Sequence, residues 1–218
     1  MPHLLHLDSS ADAERSRSRA ITATFAAAWR DHGPGHTVTY RDLHRDPLPH
    51  LADAALHWPP RLRPEGAAPP AAAEALQQQL LAELTSADVL LMGAPLYNYS
   101  LPSSLKAWID HIHVPGVTAP FDVPTQPLAG RPAVIVNSQG ASYDAHSPTE
   151  GWDHAIPVLD LILGTALGMT LTVITTSLTL AETVPALAGQ LDRSRAELAR
   201  AHEQAAEVAN RLAADRPE

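Results

Sequence analysis

This sequence predicts an α/β architecture: a doubly wound, five-stranded parallel sheet ordered 2-1-3-4-5, with helices on both faces. Three observations lead there. Five short apolar or β-branched runs alternate with five helical patterns along the 218 residues. Two of those runs, 88–93 and 131–136, contain unbroken apolar stretches, as strands covered on both faces do. Parallel neighbours need long crossovers, and right-handed crossovers leave few strand orders open; five strands suit 2-1-3-4-5.

Residues 3–8 (HLLHLD) alternate as a short strand that runs into a polar loop. A helix follows, with Ile21, Phe25, Ala28 and Trp29 spaced i, i+4, i+7 and i+8, and Gly33, Pro34 and Gly35 end it. Residues 36–40 (HTVTY) are β-branched enough for the second strand. Residues 71–86 read as a helix with Leu76, Leu80 and Leu84 on one face, and 88–93 (DVLLMG) as the third strand. The next helix, capped by Ser103 or Ser104, aligns Leu105, Trp108, Ile109 and Ile112. Residues 131–136 form the fourth strand. A helix covers 152–167, with Pro157 tolerated in its first turns, and 169–175 (MTLTVIT) form the fifth strand. From Pro185 the tail reads as a long amphipathic helix. Leu191, Leu198, Val208 and Leu212 share one face, opposite Arg193, Glu197, Arg200, Glu207 and Arg211.

Two irregular excursions, 42–70 and 113–131, interrupt this alternation. Long ordered loops in compact domains tend to be lids or interface segments. The 41 residues before the first excursion are too few for a domain, so 1–218 reads as a single domain.

Composition excludes several classes of function. Hydrophobic residues at 45% and charged residues at 18% are a globular balance, which argues against intrinsic disorder. A net charge of -9 repels nucleic-acid phosphates, and the one basic cluster, Arg15, Arg17 and Arg19, is short; no nucleic-acid partner is expected. No apolar run approaches the roughly 20 residues that cross a bilayer, so no membrane association is expected. The N-terminus reads as a strand rather than a signal peptide, which makes a cytoplasmic location the expectation. With no cysteine, disulfides, thiol catalysis and iron–sulfur clusters are out. Twelve histidines invite a metal reading, yet there is no HExxH, and no metal site is expected.

In an open parallel sheet, ligands sit beyond the carboxyl ends of the strands where strand order reverses. Here that means the loops at 9–18, 94–102 and 137–143. In the first, Ser10, Ser16 and Ser18 bracket a helix start whose free N–H groups attract anions, and Arg17 adds charge. Ser16 equally reads as the helix cap. Neither GxGxxG nor GxxxxGK[ST] occurs. The second loop, with Pro95, Leu96, Tyr97, Asn98 and Tyr99, offers a planar heteroaromatic ligand an apolar wall and an amide edge. The third, with Ser138, Gln139, Gly140 and Tyr143, has small residues where backbone must approach a ligand closely.

These motifs, SS-x5-S-x-S after the first strand, APLYNYSLPSSLKAWID over 94–110 and a Ser/Gly loop after the fourth strand, resemble the FMN-dependent NADH-azoreductases, or NADH:quinone oxidoreductases. The resemblance extends more weakly from His3 to Glu182 and includes Gly116-Val117-Thr118. It implies a flavodoxin-like homodimer. It also implies that Ser10, Ser16, Arg17 and Ser18 hold the FMN phosphate. Pro95, Leu96, Tyr97, Asn98 and Tyr99 would run along the isoalloxazine, and Ser138, Gln139, Gly140 and Tyr143 would close its other edge. Gln139-Gly140-Ala141 departs from the family, where two glycines are common, and Ala119-Pro120 separates Thr118 from Phe121; both departures bear on substrate range.

The activity implied is ping-pong transfer of hydride from NADH or NADPH, through FMN, to a quinone or azo acceptor. No side chain is an obligatory acid or base; Asn98, Tyr97 and Gly140 lie near the reactive ring. Trp58 and Phe121, on the excursions, are expected to wall the substrate pocket. Two alternatives remain open from the sequence: an FMN-binding electron carrier without small-molecule turnover, and, more distantly, a metal-dependent hydrolase on the same sheet.

Overall fold

The computed structural model describes residues 1–214. Five parallel strands, β1 (His3–Asp8), β2 (Thr37–Asp42), β3 (Val89–Gly93), β4 (Pro132–Ser138) and β5 (Thr170–Thr176), form one sheet in the order β2-β1-β3-β4-β5. The helices are α1 (Arg17–Asp31), α2 (Ala71–Ser86), α3 (Ser103–Ile112), α4 (Ala155–Leu159) and α5 (Leu191–Ala214).

Side-chain alternation along the strands sorts the core into two layers. Leu5, Leu7, Leu90, Met92, Ala133 and Ile135 pack with Leu80 and Leu84 of α2 and with Leu105, Trp108 and Ile109 of α3. Leu4, Val89, Leu91, Val134, Val136 and Ile174 face Ile21, Phe25 and Trp29 of α1 and the alanines of α5. The buried Trp29 also donates its indole N–H to the Thr37 carbonyl (3.2 Å), tying α1 to the edge strand β2. Because β1, β3 and β4 are neighbours and parallel, their carboxyl ends share one edge of the sheet.

Several expectations about the helices are corrected. Neither Ser103 nor Ser104 caps α3. Pro102 occupies the cap position in extended backbone and its carbonyl accepts from Lys106 N–H (3.0 Å), so the serines fall inside the first turn. The helix expected from 152 starts at Ala155. There the Asp153 carboxylate accepts from the N–H groups of Ala155 (2.8 Å) and Ile156 (3.2 Å), then Asp160–Ala166 widens into a π-helical turn. The tail enters through a 3₁₀ turn, Pro185–Gln190, before α5 begins. Its buried face is Ser194, Ala201, Ala205, Val208, Ala209 and Ala213 rather than the leucine stripe, since Leu191, Leu198 and Leu212 are only partly covered. Small side chains let α5 lie close against α1.

A buried polar network stands on the α1 side of β1. Asp8 accepts from Thr22 (2.9 Å) and Tyr40 (3.1 Å), lies 3.4 Å from the His6 ring, and shares Arg19 with Asp42. Burial alone would raise the Asp42 carboxyl. Hydrogen bonds from Arg19 and from the N–H groups of Arg45 and His44 outweigh it and hold the group at about 2. Burial and the Asp8 charge push the Tyr40 phenol up to about 12. A depressed carboxylate contributes stability that is present above its unfolded pKa and is lost as pH falls through its folded one. The expected outcome is that Asp42→Asn loses stability at pH 7 and flattens the wild-type decline between about pH 4 and the folded value of about 2. Urea unfolding across that range checks it; an unchanged acid limb would assign the decline to other carboxylates.

Candidate active site

The loops after β1, β3 and β4 enclose a cleft of about 430 Å³ at the carboxyl edge of the sheet. It is lined by Ser10, Asp12, Arg15, Ser16, Arg17, Pro95, Leu96, Tyr97, Ser138 and Gly140, joined by Thr179, Leu180, Glu182 and Thr183 from the segment after β5. The volume is that of a typical small-molecule site.

The first loop is held from both sides. The Ser9 hydroxyl donates to the Gly93 carbonyl (2.6 Å), and the Ala11 N–H donates to the Tyr97 hydroxyl (2.9 Å). Asp12 accepts from the N–H groups of Glu14 (3.0 Å) and Arg15 (2.8 Å), which turns the chain into α1. Those same bonds, Arg15 first, lower its carboxyl below the usual range. Ser16 is the α1 cap, accepting from Arg19 N–H (3.3 Å), and its hydroxyl stands 3.0 Å from that of Ser18. Ser18 is fully buried behind it and supports Ser16 rather than lining the cleft.

Arg17 is the most informative side chain. It is only 9% exposed, yet its interactions are poor. Nη1 makes long contacts with the carbonyls of Ser177 (3.5 Å) and Ser194 (3.4 Å); Nη2 lies 3.6 Å from the half-exposed Glu182 and has no hydrogen-bond partner. A buried guanidinium N–H without a partner is costly. Here it lies in the wall of a cleft at a helix N-terminus, where an anion satisfies it.

The second loop is stapled to the fourth strand: Ala94 N–H donates to the Val136 carbonyl (2.9 Å) and Leu96 N–H to that of Ser138 (2.8 Å). Tyr97 and Ser100 exchange backbone bonds of 2.9 and 3.0 Å around a tight turn. Its two central residues, Asn98 (φ 48) and Tyr99 (φ 67), both take left-handed backbone. Non-glycine residues there store on the order of 1 kcal/mol each, a cost that clusters at functional sites. Asn98 and Tyr99 form the exposed tip of the turn, beyond the lining of the cleft.

In the third loop Ser138 and Gly140 reach the cleft; Gln139 does not. The Gln139 amide is drawn back to Asp153 (2.9 Å), which also accepts from Asn137 (2.9 Å), while its backbone bonds Thr176 and Thr179. A Cβ on Gly140 would stand 3.0 Å from Leu180 Cδ1, so backbone and side chain meet closely there.

Tyr143 meets Tyr99 edge-on (6.4 Å), and Trp152 meets Tyr99 at 5.4 Å and 89°. Burial, then the nearby Tyr99 and Asp153, raise the Tyr143 phenol above its ordinary value. Trp58 and Phe121 meet at 5.1 Å with their rings tilted by 59°, beside an Arg61–Asp122 pair, and neither lines the cleft. Among the described residues, no group of three or more His, Asp or Glu is arranged to hold a metal ion.

Sequence reasoning missed the segment after β5 and the place of Trp152. The hydroxyl-rich TTSLTLAET run over 175–183 was the available signal for the first. Leu178, in left-handed backbone (φ 58), turns that run back over the third loop, where Leu180 N–H donates to the Gly140 carbonyl (3.2 Å).

Comparison with known proteins agrees with this geometry. The family model described as flavodoxin-like fold matches residues 2–210. A protein from Kineococcus radiotolerans named FMN-dependent NADH:quinone oxidoreductase is 59% identical over 97% of this chain and 100% of its own length. One of the same name from Streptomyces avermitilis is 39% identical over 98% of each. Among solved structures, an azoreductase from Bacillus anthracis shares the fold at TM-score 0.80, with 21% identity over 97% of this chain and 100% of that one. An FMN-dependent NADH-azoreductase of the same species, in complex with FMN, aligns at 0.76 with 19% identity over 98% and 100%. With its sheet order, its three-loop cleft and its full-length likeness to these enzymes, the chain belongs to the flavodoxin-like family of FMN-dependent NADH:quinone oxidoreductases.

Proposed function

We propose that the cleft binds FMN through the phosphate subsite at the start of α1, and that the enzyme carries reducing equivalents from NADH or NADPH to quinones and azo compounds by a ping-pong sequence. The observation that carries this reading is Arg17: a buried cation whose Nη2 makes no hydrogen bond and meets only the half-exposed Glu182, set in a cleft at a helix N-terminus. The donor set fits a phosphate, since Ser10, Ser16 and Arg17 line one cleft and Ser16 and Arg17 open α1.

Bound FMN supplies the acceptance and donation of hydride. The chain supplies the rest. Ser10, Ser16 and Arg17 hold the phosphate, with Ser18 behind Ser16. Pro95, Leu96 and Tyr97 make an apolar wall whose backbone cannot drift, because Leu96 is pinned to Ser138. The left-handed pair Asn98 and Tyr99 fixes the direction in which that turn presents its polar groups. Gly140 lines the same cleft, its missing Cβ leaves room for Leu180, and backbone N–H groups of this loop would stabilise negative charge on bound FMN. Gln139 acts by tying the third loop to Asp153, and Tyr143 with Tyr99 and Trp152 forms an aromatic rim.

The test is the visible spectrum of protein supplied with FMN and desalted. A retained flavin spectrum that bleaches with anaerobic NADH and recovers with a quinone supports the reading. Parallel initial-rate lines then support ping-pong order, and decolorised azo dye supports the second acceptor class. A colourless protein after reconstitution overturns the FMN site. Bleaching that recovers only when a redox protein is added would favour the electron carrier instead.

The same reading places the enzyme in the cytoplasm, where its reduced nicotinamide is available, and makes it a homodimer. A groove between α3 and the π-helical turn, where Ile109, Leu161, Ile162 and Ala166 stand among His57, Lys106, Asp110 and His113, supports an interface there, and Leu161 is 60% exposed. In that dimer Trp58 and Phe121 wall the substrate pocket. Leu161→Glu is expected to shift the protein from dimer to monomer by light scattering at unchanged thermal stability of the chain; a persistent dimer would move the interface elsewhere.

A further inference from the structure

We infer that Arg19 is a positioning residue for the phosphate subsite: it locks the Ser10–Ala11 peptide so that the Ser10 hydroxyl is aimed at the anion. This rests on the FMN reading of the cleft and assigns a role to a side chain outside the cleft lining.

Arg19 projects from the first turn of α1 away from the cleft. Its Nη1 and Nη2 donate to the two oxygens of Asp42 (2.7 and 2.8 Å), and Nη1 lies 3.8 Å from Asp8. The charge is therefore already answered by two buried carboxylates, and it is not the guanidinium that meets a phosphate. Nε and Nη2 instead converge on one carbonyl, that of Ser10 (3.2 and 2.7 Å).

A trans peptide is planar, so its carbonyl and its N–H point in opposite directions. The carbonyl of the Ser10–Ala11 peptide is held by Arg19, and its N–H is held by the Tyr97 hydroxyl (2.9 Å). Rotating this peptide breaks bonds on both sides at once. The clamp also fixes where the Ser10 and Tyr97 hydroxyls meet. The Tyr97 oxygen accepts from Ala11 and stands 3.2 Å from Ser10 Oγ, a contact in which either hydroxyl can donate. Ser10 Oγ accepts from the Asp12 N–H as well (3.3 Å), with only a long 3.5 Å contact to the Asp12 carbonyl on its donor side. With Ser10 and Tyr97 both lining the cleft, a ligand oxygen there can take the proton that their mutual contact does not use. Asp42 and Asp8, at the ends of adjacent strands, thus orient a hydroxyl that neither of them touches.

The experiment compares affinities for FMN and for riboflavin, which lacks the phosphate, by flavin fluorescence on the full chain. The variants are Arg19→Lys, whose single ammonium cannot span Asp42 and Ser10 as the fork does, and Asp42→Asn, which loosens the fork from its far side. Expected is a loss of FMN affinity of about 10-fold in Arg19→Lys and about 3-fold in Asp42→Asn, with riboflavin affinity within about twofold of wild type. Faster amide exchange at Ala11 is expected alongside. Equal weakening of FMN and riboflavin, or unchanged FMN affinity in a variant that melts as a folded protein, overturns the clamp. Should Arg19→Lys not fold, Asp42→Asn carries the test alone. Wild-type protein that binds FMN no tighter than riboflavin overturns the phosphate subsite itself, and the clamp with it.

Discussion

Arg17→Met is expected to weaken FMN binding about 30-fold. A hydrogen bond to a charged group contributes on the order of 2 kcal/mol, which is about that factor in an equilibrium constant. The structure gives this side chain few competing obligations: two long contacts from Nη1 to carbonyls, and an Nη2 that makes no hydrogen bond and meets only the Glu182 carboxylate, at 3.6 Å. Glu182 supplies the opposite sign. Its carboxylate is half exposed and lies where it competes with an incoming phosphate for Arg17. Solvent screening holds such an effect below about 1 kcal/mol, so Glu182→Gln is expected to tighten FMN by about threefold. Adding salt should shrink that gain. Titration of flavin fluorescence reads both variants. If Arg17→Met binds FMN like the wild type, Arg17 serves only to bridge the carbonyls of Ser177 and Ser194, and the anion subsite lies elsewhere in the cleft.

Gly93→Ala is expected to destabilise the fold by about 2 kcal/mol, in the range of small-to-large changes in packed interiors. Gly93 ends β3 beside Asp8 of β1, and a Cβ there would stand 2.6 Å from the Asp8 carboxylate. A flexible side chain would simply move aside. Asp8 is short and held by Thr22, Tyr40 and Arg19, so yielding means breaking bonds in the buried network. The Gly93 carbonyl also anchors Ser9 at the head of the first loop, which couples the strain to the site. Urea unfolding measures the cost. An Asp8→Ser background, with a shorter side chain opposite, should reduce it, and a double-mutant cycle with no coupling between positions 8 and 93 would show that the contact does not set the cost.

The catalytic edge of the molecule was readable to different depths. Ser10, Ser16, Arg17, Pro95, Leu96, Tyr97, Ser138 and Gly140 were all nameable from strand ends and motif, and they line one cleft. Gln139 was legible as a loop residue but not as a tether, because its partner Asp153 is itself the cap of a helix that begins later than its pattern suggested. Trp152 gave no periodic signal; only the fold of the third loop brings it against Tyr99. The α5 face was misread because periodicity counts large apolar residues, whereas close packing on α1 is made by Ala201, Ala205 and Ala209.

Local chemistry in the sequence determined the five strands, their alternation with helices, the sheet order and the family motif at 94–110. These depend on side-chain period, backbone preference and crossover handedness, all of which act over short stretches of chain. The tertiary structure alone decided which polar groups meet. Arg17 reaches Ser177 and Ser194, Arg19 joins Asp42 to the Ser10 carbonyl, Tyr97 closes on Ala11, and the segment after β5 completes the cleft. Such pairings join residues up to 177 positions apart at 2.7 to 3.5 Å, distances that sheet packing sets and no local pattern encodes.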